Sequence, residues 1–442
     1  MSRRRAALAA ALAMGCASSP VDRAWLARRL VERTGHGTRG SDVAVAAPSV
    51  PAGVDLDDGI TEDEAVAAAL WNHPGFQADL AQLGVARADL AEAGMLPNPI
   101  LSLLLPIGPR QVEGWLQWPL EVLWQRPRRV AAAQAEVARV GESLVQSGLD
   151  VARDARVAHA DLLVARARAR LRAEIADALT GLADLARRRA AAGDLGDADA
   201  AAARADAGAA QEQRARAEVE AVVAQARLLQ LLGLAELRRE VEPVAPELPT
   251  EPPQELEGLL RVAMAARPDV RAAELGLEAA GARRGWEISR IFSVVARVDA
   301  FSPAPQGGPT SVTGRAGLQM TLPIFQQNQG GIGRADAEIE RATWRYAQAR
   351  QQVVTEVVTA RAQAAQALEA LAPWRSEVIP AAEEALRGAE RAFAQGETSY
   401  AAVLEATRRV LDLRLREVEL QGDIQRAAAQ LDRSTGGRHG SR

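Results

Sequence analysis

The chain repeats its own plan, and a duplicated chain must fold into two similar units or into one body with internal pseudo-symmetry. Asn72-His-Pro-Gly-Phe-Gln-Ala-Asp-Leu80 resembles Arg267-Pro-Asp-Val-Arg-Ala-Ala-Glu-Leu275, and Pro74 and Pro268 stand 194 positions apart. Farther along, Trp118-Pro119 matches Leu322-Pro323 at an offset of 204, and Ala192-Gly193-Asp194 matches Gln395-Gly396-Glu397 at 203. The extra residues therefore enter between the first and second landmarks. There Ser302-Pro-Ala-Pro-Gln-Gly-Gly-Pro-Thr310 makes a longer loop than Pro106-Ile-Gly-Pro-Arg110. Insertions are tolerated in exposed loops, so each half carries a turn at this point.

Around each loop the apolar residues recur with period two, the signature of a strand with one apolar face. Val312, Gly314, Ala316, Leu318, Met320 and Leu322 alternate with Thr313, Arg315, Gly317, Gln319 and Thr321. In the first half Val112, Gly114, Leu116 and Trp118 alternate with Gln111, Glu113, Trp115 and Gln117. Phe292 to Phe301 alternates less cleanly, and Ile100 to Leu105 is a strand by analogy with its repeat. Each half thus carries one hairpin of strands about ten residues long, enough to cross a bilayer when tilted. Four strands cannot close a membrane barrel, and an open edge in lipid leaves backbone groups unpaired, so several chains must contribute. The competing reading is a pair of soluble hairpins packed on helices.

Between the hairpins the pattern is helical. No Pro interrupts residues 128 to 242. As one helix, Arg128 to Ala192 would reach about 100 Å at 1.5 Å per residue. Leu171, Ile175, Leu179, Leu182 and Leu185 recur at steps of four and three. Leu404, Leu411 and Val418 recur every seven, while Val403, Val410, Ile424 and Leu431 hold a neighbouring register broken at Glu417. Such spacing with interleaved Ala predicts coiled-coil packing. Each half then holds a long helical hairpin, with tips at Gly193 to Asp199 and Gly396 to Ser399. Each Gly suits a helix C-cap, and the acid after it lies near the next helix N-terminus.

Composition removes whole classes of chemistry. All 53 basic residues are Arg, against 57 acids, for a net charge of −4. Without Lys there is no Walker-type phosphate loop and no Schiff-base catalysis. The interspersed charges give no basic face for nucleic acid. The four histidines, His36, His73, His159 and His439, show no helical i, i+4 pair, so no metal site and no cofactor is expected. No nucleophile elbow occurs, and Glu383-Glu384 reads as a solvated helix face, so no catalytic residue is expected. Gly35-His-Gly-Thr-Arg-Gly40 matches the dinucleotide fingerprint by letters but follows no strand, and reads as linker.

At the N-terminus Arg3, Arg4 and Arg5 precede the short apolar run Ala6 to Met14, which reads as an export signal over residues 1 to 15. Cys16 after Gly15 resembles a lipobox, with Ala13 where Leu is usual, and predicts a diacylglycerol anchor; the competing reading is a plain signal peptide or a buried Cys. No other stretch offers 18 uninterrupted apolar residues, so strands must do any spanning. The expected layout is a lipidated linker over 16 to 59, a first repeat over 60 to 242, a Pro-rich linker over 243 to 254, a second repeat over 255 to 436 and a tail over 437 to 442. The hairpins lie near 99 to 119 and 291 to 322, and the helical hairpins over 128 to 233 and 330 to 435.

These features together resemble the TolC family of outer-membrane efflux proteins, in the branch paired with heavy-metal exporters. The resemblance covers most of residues 60 to 436. It is carried by Ile60-Thr-Glu-Asp-Glu-Ala-Val-Ala-Ala-Ala-Leu70, Ala93-Gly-Met-Leu-Pro-Asn-Pro99, Leu322-Pro-Ile-Phe-Gln-Gln-Asn-Gln-Gly-Gly331 and the two tips. It implies a mainly α fold with a small β part. The duplicated coiled-coil hairpins and two β-hairpins would assemble as a homotrimer with one twelve-strand outer-membrane barrel and a periplasmic helical barrel. It further implies a passive exit duct for heavy-metal cations or small toxic compounds. Its partners would be a periplasmic adaptor, an inner-membrane RND-type pump and outer-membrane lipid, with no nucleic acid. Adaptor or pore-tip residues would be Gly193, Asp194, Leu195, Asp197, Asp199, Gly396, Glu397, Thr398 and Ser399. Departures from the family are Gly196 for a common Ser, Ala402 for Asp, and His159 and Arg361 at two Tyr positions. Gln125-Arg-Pro-Arg128 replaces Gly-x-x-Arg, with Pro127 suited to a first helical turn. The alternative class is a periplasmic coiled-coil adaptor or scaffold, which would need one hairpin flanked by compact β domains.

Overall fold

The computed structural model describes residues 17–40, 49–105, 113–301, 312–395 and 397–437. The export signal, Cys16, the two loops over 106–110 and 302–310, Gly396 and His439 lie outside them. The chain forms two compact units. One is built from Asp79–Leu144 and Pro268–Gln351 with the N-terminal residues up to Leu26, the other from Ala27–Ala78, Val145–Arg267 and Gln352–Arg442.

The first unit holds all the strands: β1 (Ile100–Leu104), β2 (Glu113–Pro119), β3 (Ser293–Phe301) and β4 (Thr313–Thr321). They form one antiparallel sheet in the order β1-β2-β3-β4, so the two expected hairpins are joined through β2 and β3. The register places Leu101, Leu116, Val298 and Ala316 in one row, and Ser102, Trp115, Asp299 and Arg315 in the next. Because side chains alternate across the pleat, one face is apolar and the other carries the charge. Leu101, Leu103, Leu116, Val298, Leu318 and Met320 of the apolar face are all exposed. β1 and β4 are edge strands with no described neighbour.

Helix ends and side-chain braces hold the base of this sheet. The Leu120 N–H donates to the Val294 carbonyl at 2.7 Å, and the Glu121 carboxylate accepts from Ser293 Oγ and the Val294 N–H. Helix α3 (Pro74–Gly94) ends against three guanidinium bonds: Arg126 to the Gly94 carbonyl, and Arg129 to the carbonyls of Ala93 and Met95. Arg128 reaches the Gly285 carbonyl on α7 (Pro268–Ser289). Cations suit helix C-termini, where the last carbonyls lack intrahelical donors. These contacts explain the Arg-Pro-Arg-Arg run. Pro127 is not in the first turn as expected, because α4 (Val122–Ala191) starts five residues earlier, where Gln125 N–H already bonds the Glu121 carbonyl.

The second unit contains most of the long helices. Helix α4, 70 residues long, belongs to it from Val145 onward, and α5 (Asp197–Leu231) runs 35 residues. In the second repeat α8 (Gln329–Pro373) gives way to a π-turn over Trp374–Val378, then α9 (Ile379–Ala394) and α10 (Tyr400–Thr435). Pro380 has no N–H to give, and its ring would press on the Ser376 carbonyl in α geometry. Widening to the Ile379 N–H to Trp374 carbonyl bond relieves this, and Trp374 Nε1 donates to the Leu413 carbonyl at 3.0 Å. The first repeat has no proline in this stretch, and α4 runs on without a break.

The stretch read as linker over 16 to 59 is corrected in part: Arg23–Thr34 is a helix, α1. Asp22 Oδ1 caps it by accepting the Trp25 N–H at 2.7 Å, and Leu26 and Leu30 are fully buried. Its Arg content hid a two-residue apolar stripe. Leu30 packs so tightly on Gly148 of α4 that a Cβ there would lie 2.4 Å from Leu30 Cδ2. Gly422 of α10 is equally close to Val164, with a Cβ at 2.3 Å. Gly148→Leu and Gly422→Leu are therefore expected to destabilise the chain by about 1–3 kcal/mol each through overpacking. Gly181, with open space around it, should accept Ala with a gain of about 0.5–1 kcal/mol. Denaturant midpoints of the detergent-solubilised protein check both.

Candidate functional site

At the first tip, Gly193 ends α4 in the left-handed region at φ 87°. Its N–H bonds the Ala190 carbonyl and the Asp194 N–H bonds that of Arg189, closing the last turn. Asp197 and Asp199 fall in the first turn of α5, whose N-cap is Gly196. Carboxylates there face the positive end of the helix dipole. Leu195 turns inward onto Ala183, Ala186, Ala200 and Ala203, together with Phe393 of α9 and Leu404 of α10. The Arg189 guanidinium lies 4.5 Å from the Phe393 ring centroid. The small alanines let four helices converge, and the two tips meet through Phe393, which sequence reasoning missed because a lone aromatic carries no periodic signal. At the second tip, the Glu397 N–H bonds the Ala392 carbonyl, and Ser399 is the N-cap of α10. Thr398 lies between them, and Gly396 is outside the described residues.

His159 and Arg361 perform matching tasks in the two repeats. His159 is buried at 1% exposure, with Nε2 2.9 Å from the Ile60 carbonyl. A carbonyl only accepts, so this nitrogen carries the hydrogen. Ile60 also pairs with the linker strand, its N–H on the Glu242 carbonyl and its carbonyl accepting from Val244. In the second repeat, Arg361 Nε donates to the Gln254 carbonyl at 2.9 Å. Each repeat thus anchors the chain entering it from the same helix position. Burial holds the His159 pKa below 6.5, against the opposing bond to Ile60 and the charge of Glu62.

A second brace is ionic. Arg267, whose side chain is wholly buried, pairs with Glu356 at 2.5 Å and donates to the Ser434 carbonyl. Arg433 pairs with Glu356 and, at 2.7 Å, with Asp150. Nearby, Arg156 spans Glu62 at 3.0 Å and Asp432 at 2.9 Å. Burial alone would raise the Glu356 pKa. Hydrogen bonds from Gln352 and Arg267 and the charges of Arg267 and Arg433 outweigh it, holding the carboxyl below 4.5. The repeat counterpart of Arg267, His73, instead caps α3 by accepting the Phe76 N–H on Nδ1. Glu383, read as a solvated face, pairs with Arg414 at 2.8 Å.

Among the described residues no group of three His, Cys, Asp or Glu could hold a metal ion, and no helix is long and apolar enough to cross a membrane. What the geometry offers is, in one unit, a sheet with an exposed apolar face, a charged opposite face and two edges with no described neighbour, and, in the other, duplicated helical hairpins. Solved structures of outer-membrane channels share this fold. A crystal structure of a membrane protein from Pseudomonas aeruginosa matches it with a TM-score of 0.72 and 21% identity, over 90% of this chain and 99% of that one. The crystal structures of CusC, described as reviewing its folding and transmembrane channel formation, match with a TM-score of 0.73 and 18% identity, over 85% and 92%. Residues 259–437 match the family described as outer membrane efflux protein. The cobalt-zinc-cadmium resistance protein CzcC of Cupriavidus metallidurans is 25% identical over 397 residues, 85% of this chain and 90% of that protein. The second repeat thus carries the outer membrane efflux protein pattern.

The braces make stability depend on pH with a defined sign. Both folded-state values are depressed. From pH 6.5 downward the unfolded chain takes a proton at His159 that the fold refuses, and below 4.5 the Glu356 contribution is lost as pH falls through its folded value. Stability should therefore decline in two steps on acidification. His159→Gln should remove the first step. Arg267→Met should cost about 3–5 kcal/mol at pH 7, because it leaves Glu356 with one fewer partner. Unfolding curves between pH 7 and 4 check all three.

Proposed function

We propose that three copies of this chain form the outer-membrane exit duct of a tripartite efflux system, passing cargo from the periplasm to the outside without catalysis. The observation that carries it is the four-stranded sheet: its apolar face is exposed and its edges β1 and β4 are open. In hydrocarbon an unpaired backbone group costs several kcal/mol, so such a sheet is stable in lipid only when the edge of one copy pairs with the edge of the next. Three copies would give twelve strands, and the long hairpins would continue the duct through the periplasm.

In this reading residues 1 to 15 are removed on export and Cys16 carries a lipid anchor. The repeats run over 60 to 242 and 255 to 436, separated by the Pro-rich linker, with a tail beyond 436. A periplasmic adaptor meets the tips at Gly193, Asp194, Leu195, Asp197, Asp199, Gly396, Glu397, Thr398 and Ser399, and links the duct to an RND-type pump that supplies the energy. Likeness to CzcC, whose name states cobalt, zinc and cadmium resistance, supports metal cations as cargo. A separate adaptor identity is disfavoured by the two helical hairpins and the single joined sheet.

Protein extracted with mild detergent from purified outer membranes should have a native mass of about three chains. Its N-terminal peptide should carry the lipid. A soluble periplasmic monomer would sink the reading. Cells lacking the chain should tolerate less cobalt, zinc or cadmium than cells carrying it, and unchanged tolerance to all three would remove the metal assignment.

A further inference from the structure

The charged face of the sheet has a definite composition. In the row Ser102, Trp115, Asp299, Arg315, Asp299 stands opposite Arg315 across β3 and β4. One step along, on the same face, come Ile100, Gln117, Arg297 and Gly317. Arg297 Nε contacts Asp299 Oδ1, and its guanidinium lies 5.0 Å from the Trp115 ring centroid. Trp115 and Asp299 thus hold Arg297 down along the sheet, with both charged partners about one-third exposed to water. The belt contains two arginines and one aspartate. Toward the base, the face continues with Val295, Pro119, Gln319, Ser293 and Thr321, none of them charged. On the same face, one row farther from the base, Glu113 stands between Leu104 and Phe301 and is exposed, so the arginine excess is confined to the two rows nearer the base.

We propose that Arg297, Asp299 and Arg315 form an anion-favouring charge belt on the inner wall of the barrel, and that this belt sets the ion preference of its outer-membrane segment. The inference rests on the channel reading, which turns the apolar face to lipid and this face to the pore. Rings of fixed charge select ions by sign, and arginine rings favour anions. Threefold repetition would stack six guanidinium groups against three carboxylates within two rows of the wall. Their field reaches about 8 Å at physiological ionic strength, so it acts on ions passing near the wall. Guanidinium does not deprotonate in the working pH range, so the belt is permanent. A cation passing in either direction would meet this repulsive collar, so outward cation flow crosses it only under the drive of a pump.

The test is the chloride-to-potassium permeability ratio, from reversal potentials of the full-length protein in planar bilayers under a potassium chloride gradient. Arg315→Gln and Arg297→Gln should each lower the ratio by about twofold or more, and Asp299→Asn should raise it. Arg315→Gln keeps the Arg297 contacts with Asp299 and Trp115, so it guards against loss of fold, and native mass reports assembly for each variant. The Asp and Arg variants must move in opposite directions. Assembled, conducting variants whose ratios stay at the wild-type value, or all move the same way, overturn the belt and leave the duct standing. Wild-type trimers that insert yet pass no current overturn the duct, and the belt with it.

Discussion

A strand edge presents a row of N–H and carbonyl groups that something must pair. In water solvent does so; in hydrocarbon nothing does, and each orphan group costs several kcal/mol. The sheet of this protein has two such edges and an apolar face exposed by Leu101, Leu103, Leu116, Val298 and Leu318. The rest of the fold serves that arrangement. Glu121 fixes β3 from below, Trp118 Nε1 holds the entry to β1 through the Pro97 carbonyl, and Arg126, Arg128 and Arg129 fasten the adjoining helix ends. A sheet with two edges left open needs its own geometry set in advance, and these short polar contacts set it.

The helical hairpins solve a different problem. Helices this long and this rich in alanine bury little apolar area per residue, so much of their register rests on specific pairs. Arg168 bridges Glu220 and Glu419, and Arg426 bridges Asp161 and Asp423, tying α4 to α5 and α10. Exposed pairs contribute at most about 1 kcal/mol each, but networks sharing one guanidinium lose less side-chain entropy per bond. The Arg267, Glu356 and Arg433 set is of another kind, since Arg267 is wholly buried and breaking its pair removes compensation from a charge that little water reaches.

The duplication, the period-two stretches and the heptads made the architecture legible, because each is a local pattern repeated. The strand assignments agree with the structure to within two residues at most ends, even for Ile100–Leu104, which was read only through its repeat. What escaped was set by distant partners. Nothing local shows that β2 pairs with β3, that Arg267 is buried, or that Phe393 meets Arg189. Helix α1 was hidden because two leucines among arginines give too weak a stripe, and Pro127 was misplaced because Glu121 starts the helix earlier than the proline suggests. The tip glycines were readable because positive φ leaves few other choices, as Gly193 shows. Charge on one face of the strands was visible, but the pairing of Asp299 with Arg315 required the register.

Every cationic brace in this molecule is a guanidinium, from Arg126 under the sheet to Arg433 among the helices. That uniformity affects how the protein can be observed as well as how it stands. With no lysine in the chain, no side chain offers a primary amine. Amine-directed cross-linkers and labels have nothing to grip along the helices or at the tips, and a lysine-specific protease would leave the folded and the unfolded chain equally whole. Surveys that map neighbours through lysine would pass over this protein whatever it binds, so its contacts must be sought through carboxylates or introduced thiols.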